Sequence, residues 1–339
     1  MSVRMKEVAS RAGVSVKTVS NVVNGYVHVA PQTRERVQQV IDDMGYSPNL
    51  SARSLRSGRT GILAVALPRL DEPYFAELAA AVIGVAEDRG FTVLVDQTDG
   101  LLEREQRALT GIRPNLIDGL MINPLALGAA DFRAPAVSTP LVLLGERVWD
   151  SSFDHVAIDN VAAARLATDH LLEVGRRRPA AIGLMGSEVA QTARLRLAGF
   201  CAATAAAGVS VPDEHLEEVG TFRREEGARA MDRLLDLREP PDAVYCFNYL
   251  LALGALHALQ RRGLRVPEDV AVIGTDDIVE SSYSTPTLST VAQDVGEIAT
   301  LALDVLLDRM GDGSAAPPRE VVAGFSLKVR QSTVGGAVS

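Results

Sequence analysis

Residues and motifs that metal and redox chemistry need are scarce in this 339-residue sequence. The only two cysteines, Cys201 and Cys246, have the spacing of neither a metal site nor a redox pair. We therefore expect both to be buried thiols in a reducing compartment. The five histidines never cluster at the spacing of metal ligands, so the sequence predicts no metal site.

The motifs of several large enzyme classes are missing as well. There is no GxxxxGK[ST] phosphate loop, no GxGxxG dinucleotide loop, no GxSxG nucleophile turn and no HExxH zinc helix. We therefore predict no enzymatic activity and no cofactor. No apolar run reaches the length of a membrane span, and the first residues contain no apolar signal segment. This predicts a cytoplasmic protein without a membrane partner.

Charge is distributed unevenly along the chain. The net charge of −9 argues against a nucleic-acid binder when the chain is taken whole. Residues 1–60, however, contain nine basic and four acidic side chains, a net charge of +5, which leaves −14 on the remainder. A basic head on an acidic body is typical of a modular DNA-binding protein, because the attraction to phosphates is local.

The head has the pattern of a helix-turn-helix. Residues 5–25 contain two short helical patterns around a tight turn at Gly13, and Ser15 stands where the N-cap of the second helix belongs. The second helix of such a unit enters the DNA major groove. On this stretch alone, a plain helical hairpin is the alternative. A third helix is predicted from Pro31 to the glycine at position 45.

From Gly61 onward, short apolar strands alternate with helical patterns. This alternation predicts two series of parallel strands with helices on both faces, and hence two doubly wound subdomains with a ligand cleft beyond the carboxyl ends of the strands. The strands are predicted at 62–67, 92–95, 119–122, 141–144, 181–185, 243–247 and 270–274. The helices are predicted at 74–88, 101–111, 161–174, 192–207, 225–237 and 250–262.

The chain resembles the lactose repressor/galactose repressor (LacI/GalR) family of bacterial transcription regulators. The resemblance rests on VASRAGVSVKTVSNVVNG, V-x-P-x-TRERV and GYSPN, with Ala52 and Leu55. It implies an all-α helix-turn-helix head and a two-lobed, doubly wound α/β body like that of periplasmic binding proteins. The implied domains are a head at 1–47, a hinge helix and linker at 48–60, an N-terminal subdomain at 61–160 plus 292–320, and a C-terminal subdomain at 161–291 plus 321–334.

The resemblance also implies which residues contact DNA. Val16, Lys17 and Asn21 match base-reading positions, whereas Leu55 matches a leucine that enters the minor groove. The hinge is too short for a stable free helix, so we expect it to fold on DNA. The predicted DNA-binding set is Ser15, Val16, Lys17, Thr18, Ser20, Asn21, Asn24, His28, Thr33, Arg53, Leu55 and Arg56.

Five residues of the body are predicted to bind a small effector. Phe75 offers a ring face, Arg196 an enclosed guanidinium and Asn248 an amide at a strand end. Asp276 can accept two hydroxyl hydrogens, which suits a vicinal diol, and Gln293 is a weaker candidate. The structural alternatives are a core role for Phe75, an ion pair for Arg196 and a helix N-cap for Asn248.

The sequence thus predicts a dimeric, sequence-specific DNA-binding repressor for a pseudo-palindromic operator. Its operator affinity is expected to be controlled by a sugar or sugar derivative between the lobes. One alternative is the same regulator with a purine effector, and another is a sugar-binding protein whose head binds a protein or RNA. Near the expected pocket, the resemblance implies an acidic residue at position 249 and an aromatic residue at position 275. Tyr249 and Thr275 depart from this pattern, which leaves the identity of the effector open.

Overall fold

The computed structural model describes residues 3–23, 26, 28–46, 59–110, 116–128, 131, 139–145, 153–186, 191–311 and 316–335. The chain divides into two compact units, Met1–Gly61 and Ile62–Ser339, which we call the head and the body. The helices are α1 Met5–Ala12, α2 Val16–Val23, α3 Pro31–Met44, α4 Pro73–Glu87, α5 Leu102–Leu109, α6 Asn160–Glu173, α7 Gln191–Ala206, α8 Arg224–Leu235, α9 Tyr249–Arg261, α10 Glu280–Tyr283, α11 Val295–Met310 and α12 Gln331–Val334. The strands are β1 Ile62–Leu67, β2 Thr92–Gln97, β3 Gly119–Ile122, β4 Leu141–Leu144, β5 Asp154–Ala157, β6 Pro179–Leu184, β7 Leu216–Glu218, β8 Ala243–Cys246, β9 Ala271–Thr275, β10 Ser289–Gln293, β11 Glu320–Val322 and β12 Phe325–Lys328.

The head consists of α1, α2 and α3 around a small apolar core. Gly13 ends α1 with φ +63°, a left-handed conformation that glycine adopts without a steric penalty. The Oγ atom of Ser15 accepts a hydrogen bond from the Thr18 N–H at 3.0 Å and so caps α2. The predicted helix-turn-helix, its N-cap and the third helix are confirmed. The core of the head is formed by Val8, Ala9, Ala12, Val19, Val22, Val37, Ile41 and Tyr46.

The body contains two six-stranded sheets of the same design. The first has the strand order β11-β5-β4-β3-β1-β2, with all neighbours parallel. The second has the order β12-β10-β9-β8-β6-β7 and is parallel except for the β10–β12 pair. We call each sheet with its flanking helices a lobe. In both lobes the strand order reverses beside the first strand, where ligands of doubly wound folds bind.

The chain passes between the lobes three times. It crosses after β5, where Asp159 caps α6 by accepting the Ala162 N–H at 2.9 Å. It returns after β10, where Asp294 caps α11 by accepting the Glu297 N–H at 2.9 Å. The third crossing joins β11 of the first sheet to β12 of the second. The crossings lie near the positions that the family resemblance implies, while the exact domain boundaries stay a prediction.

Every predicted strand and helix of the body is present, with ends displaced by no more than two residues. The sequence analysis missed β5, β7, β10, β11 and β12, together with the long helix α11. Cys246 is buried as expected, but the expectation for Cys201 was wrong because it is exposed. Cys201 follows the buried Phe200 on α7, and one residue turns a helical side chain by about 100° away from the buried face. Within the described ranges, no helix is long and apolar enough to cross a membrane.

Candidate functional site

The second helix of the head presents a short polar face. Lys17 is exposed, and Asn21 lies four residues later on the same face with intermediate exposure. Val16, at the N-terminal end of α2, is 41% exposed. The Thr18 hydroxyl hydrogen-bonds the Ser15 hydroxyl at 2.9 Å, so these two side chains also order the first turn. The side chains predicted to read bases are therefore accessible.

The other residues predicted to contact DNA differ in their exposure. Ser20 is only 6% exposed, so it faces the head core rather than the polar face, contrary to the expectation that it points outward. The buried residues of α2 are Val19, Ser20 and Val22, so the buried face of this helix is wide enough to include Ser20. His28 is exposed and its ring meets the Tyr26 ring edge-on at 5.4 Å, while Thr33 has intermediate exposure. Asn24, Arg53, Leu55 and Arg56 lie outside the described residues, as do residues 48–58 of the hinge and linker.

A cavity of about 80 Å³ lies between the two lobes of the body. It sits at the carboxyl ends of the strands, where the topology of both sheets places a ligand site. All five predicted effector residues line it: Phe75, Arg196, Asn248, Asp276 and Gln293. Phe75 belongs to the first turn of α4 in the first lobe, whereas the other four belong to the second lobe.

A buried ion pair forms the centre of this cavity. Arg196 on α7 is 5% exposed and Asp276, just after β9, is 7% exposed; their nearest charged atoms, Nη2 and Oδ1, are 3.6 Å apart. The Nε atom of Arg196 donates to Asn160 at 2.9 Å, and another guanidinium N–H donates to the Phe247 carbonyl. The ion pair expected as the structural alternative for Arg196 is thus present, and it lies in the cavity wall.

The carboxyl group of Asp276 has an unusual environment. Burial raises its pKa, while the charge of Arg196 and a hydrogen bond that Gln293 Nε2 donates at 2.7 Å act in the opposite direction. The carboxylate of the neighbouring Asp277 is engaged elsewhere, because it accepts a hydrogen bond from Arg330 at 2.6 Å. Of these two neighbouring aspartates, Asp276 lines the cavity and Asp277 does not.

Two tyrosines connect the lobes beside this carboxylate. The hydroxyl of Tyr74, in the first lobe, donates to Gln293 Oε1 at 3.3 Å. The backbone N–H of Tyr74 donates to the hydroxyl oxygen of Tyr249, in the second lobe, at 3.4 Å. Burial strongly raises the pKa of Tyr249, so this hydroxyl is neutral at the position where the family resemblance implies an acidic residue. Thr275, the other departure, is buried and bonds the Tyr245 hydroxyl at 3.2 Å.

Asn248 combines a position in the cavity wall with a structural role. It lines the cavity, and it caps α9, since its Oδ1 accepts the Leu251 N–H at 2.9 Å. Its Nδ2 donates to the Phe222 carbonyl at 3.3 Å. The N-cap alternative is therefore present, and much of this amide's hydrogen-bonding capacity serves the fold.

The sequence analysis missed Asn123, which directly follows β3 and lines the cavity from the first lobe. It is 3% exposed, and its Oδ1 has no hydrogen-bond partner in the described part of the chain. The amide lies so close to Gly145 that a Cβ at that position would come within 2.4 Å of Nδ2. A buried polar atom without a partner is costly, so it indicates a place for a ligand group. The available signal was a polar residue at the carboxyl end of a predicted strand.

Comparisons with known proteins agree with this architecture. The family model described as bacterial regulatory proteins, lacI family, matches residues 4–49, and that of a periplasmic binding protein-like domain matches residues 168–333. The HTH-type transcriptional repressor PurR of Erwinia tasmaniensis is 35% identical over 90% of each chain. The chain belongs to the lacI family of bacterial regulatory proteins. As a member of this family it is a DNA-binding regulator of transcription.

Two solved structures of transcriptional regulators extend the comparison. The lac repressor dimer bound to operator and the anti-inducer ONPF has a TM-score of 0.85 and 28% identity, and the match covers 99% of this chain and 100% of that one. The complex of the regulator CelR with cellobiose has a TM-score of 0.70 and 31% identity, covering 97% and 99% of the two chains. The two-domain fold is thus shared over nearly the whole sequence.

Proposed function

We propose that this regulator is a repressor that binds a pseudo-palindromic operator as a homodimer, and that a neutral, hydroxyl-rich small molecule in the cleft controls its operator affinity. The observation that carries the effector proposal is the set of buried polar groups on both sides of one cavity, with Asn123 on the first lobe and Arg196 and Asp276 on the second. We assign it no enzymatic activity, and we place it in the cytoplasm because operator DNA is there.

The head supports the DNA-binding half of the proposal. Lys17 is exposed on α2 and can donate to O6 and N7 of guanine, while Val16 can contact a thymine methyl group. Ser15 and Thr18 stand at the helix N-terminus, where hydroxyl groups contact phosphates. A dimeric relative bound to operator, the lac repressor, has the same fold over nearly the whole chain. The hinge prediction, with Leu55 in the minor groove, belongs to this proposal.

The chemistry of the cleft favours a sugar as the effector. A carboxylate accepts two hydroxyl hydrogens, a guanidinium donates several hydrogen bonds, and the amide of Asn123 can do both. The ring of Phe75 gives the apolar face of a sugar a surface to lie on. The cellobiose complex of CelR shows that one relative binds a saccharide. A purine remains the second candidate, because Phe75 and Phe222 could also stack on a base.

A thermal-shift panel of neutral sugars and purines tests the effector proposal on the full-length protein. We expect a sugar to raise the melting temperature of the wild type, and Asp276→Ala to abolish that shift. The control is Asp269→Ala, a partly exposed aspartate whose partner is Arg265 on the same loop, and it should leave the shift unchanged. A shift that Asp276→Ala leaves intact would place the effector elsewhere, and a response to purines alone would favour the second candidate.

Selection from a pool of partly randomised palindromic duplexes tests the DNA-binding proposal. We expect Lys17→Ala to weaken binding by about 1–3 kcal/mol and to relax the base preference at one position of each half-site. Lys6→Ala, on the first helix of the same head, is the control for the loss of a positive charge. An unchanged base preference in Lys17→Ala would refute the assignment of the base-reading residue.

A further inference from the structure

A second and larger cavity, of about 600 Å³, lies between the same two lobes. We call it the vestibule, and we call the cavity around Asp276 the inner cavity. The two spaces share one wall, formed by Glu72, Phe75, Thr192 and Phe222. The vestibule is therefore adjacent to the site proposed for the effector.

The sizes of the two spaces indicate how a ligand divides between them. Each water molecule needs about 10–15 Å³ of cavity volume, so the inner cavity has room for roughly half a dozen water molecules. Pockets for small ligands commonly measure about 300–1,000 Å³, a range that includes the vestibule but not the inner cavity. The inner cavity can therefore accept at most one sugar ring, and a larger effector must extend outward.

The vestibule wall combines apolar surfaces with polar groups that are available for binding. Leu125 of the first lobe is 40% exposed, and it lies opposite Met185 and Phe222 of the second lobe. The side chains of Gln191 and Thr221 also line the space, and neither makes a hydrogen bond with any residue that the structure describes. An amide and a hydroxyl beside apolar surfaces can bind a sugar ring, which has both a C–H face and hydroxyl groups.

The charged side chains that line the vestibule, by contrast, already have partners. Arg69 donates two hydrogen bonds to Asp71, at 2.9 and 2.8 Å, and the same carboxylate lies 3.8 Å from Arg223 of the opposite lobe. The Oε1 atom of Glu218 accepts the Gly186 N–H at 2.9 Å. With these charges already engaged, the wall favours a neutral occupant over a phosphorylated one.

We infer that the effector is a disaccharide, with one ring in the inner cavity and the second ring in the vestibule against Leu125 and Gln191. This inference rests on the proposed function, since it assumes that a sugar occupies the inner cavity. It adds the requirement that a single sugar ring fills only part of the site.

Calorimetric titration of the full-length protein with matched sugars tests the inference. The probes are glucose with cellobiose, galactose with lactose and xylose with xylobiose. We expect one disaccharide to bind at least tenfold more tightly than its constituent monosaccharides. Gln191→Leu and the space-filling variant Leu125→Trp should each weaken disaccharide binding about tenfold and leave monosaccharide binding within twofold. Gln260→Leu, an exposed glutamine on α9, is the matched control and should change neither.

Each outcome separates this inference from the proposed function. If a monosaccharide binds as tightly as its disaccharide and loses affinity in Asp276→Ala, the sugar site stands but the two-ring effector is refuted. The same conclusion follows if disaccharide binding is unaffected by both vestibule variants. Binding of nucleobases without binding of any saccharide would refute both proposals together.

Discussion

The two lobes have the same sheet topology but use their buried charges differently. In the first lobe, Asp154 is 1% exposed and accepts hydrogen bonds from the Arg309 side chain at 2.9 Å and the Arg319 backbone N–H at 2.8 Å. In the second lobe, Arg196 and Asp276 are 3.6 Å apart in a cavity wall. The first cluster is satisfied internally, whereas the second keeps capacity for a ligand. Burial of charge therefore does not by itself distinguish a structural site from a binding site.

The pKa shifts reflect the same contrast. Burial raises the pKa of Asp154, but the hydrogen bonds from Arg309 and Arg319 outweigh it and hold the pKa below its ordinary value. For Asp276, burial prevails over the opposing effect of Arg196 and Gln293, and its pKa is raised. Ionisation thus stabilises the fold at the first position and costs stability at the second.

The largest expected effect is on the stability of the first lobe. Asp154→Ala leaves Arg309 without its buried partner, and we expect a loss of about 3–5 kcal/mol in the free energy of unfolding. Because the pKa of Asp154 is lowered in the folded state, its contribution exists above the unfolded pKa of about 3.9 and disappears as the pH falls through the folded pKa. Urea denaturation between pH 7 and pH 3 measures both effects. A variant that is as stable as the wild type would remove the contrast between the lobes.

The second prediction concerns Asp276→Asn, which keeps the shape of the side chain. We expect effector affinity to fall by about 10- to 100-fold, since hydrogen bonds to charged groups contribute about 1.5–3 kcal/mol. Because the raised pKa makes ionisation unfavourable in the folded state, the wild type loses stability as the pH rises from the unfolded pKa of Asp276 through its folded pKa. The variant lacks that loss. Denaturation across the same pH series checks the sign. The prediction would be contradicted if the stability of the wild type and that of the variant had the same pH dependence.

A third prediction compares the two asparagines at the carboxyl ends of equivalent strands. Asn248→Ala removes a helix cap, and we expect it to destabilise the protein by about 1 kcal/mol. Asn123→Ala removes a buried acceptor without a described partner. The stability of this variant should therefore equal that of the wild type, while its effector affinity should fall by about fivefold. Parallel thermal melts and titrations measure both. Equal loss of stability in the two variants would indicate that Asn123 is structural.

The smallest expected effect is that of Tyr249→Phe. Among the described residues, its hydroxyl accepts one long bond, from the Tyr74 N–H at 3.4 Å, and we expect effector affinity to change by about threefold or less. Titration at constant pH is the measurement. A loss above tenfold would show that this hydroxyl, at the position where the resemblance implies an acidic residue, contacts the effector directly.

The sequence allowed much of this fold to be predicted, because the central strands are apolar runs buried on both faces. Strand β1, for example, is ILAVAL and was predicted with its observed bounds. Several of the strands that were missed are short or polar, such as DHVA in β5 and EVV in β11. Strands β11 and β12, moreover, pair only after the chain has crossed from the other lobe. Such long-range pairing leaves no local pattern.

The candidate site was predictable to a similar extent. Polar residues at strand ends identified the positions of Asn248 and Asp276, because carboxyl ends of parallel strands face the cleft. The sequence could not show that the Asn248 amide is engaged in a cap while that of Asn123 lacks a partner for Oδ1. Nor could it show the vestibule, which exists only where loops of two lobes come together.

The three crossings of the chain have a consequence for how this body can be cut and recombined. A protease that cleaves one crossing leaves the lobes joined by two others, so a single nick should not release a fragment. For the same reason, no uninterrupted stretch of sequence encodes one whole lobe. Replacing a lobe with that of a relative requires three junctions, two of them beside the caps formed by Asp159 and Asp294. New ligand specificity is therefore easier to obtain by substitution in the cleft than by exchanging lobes.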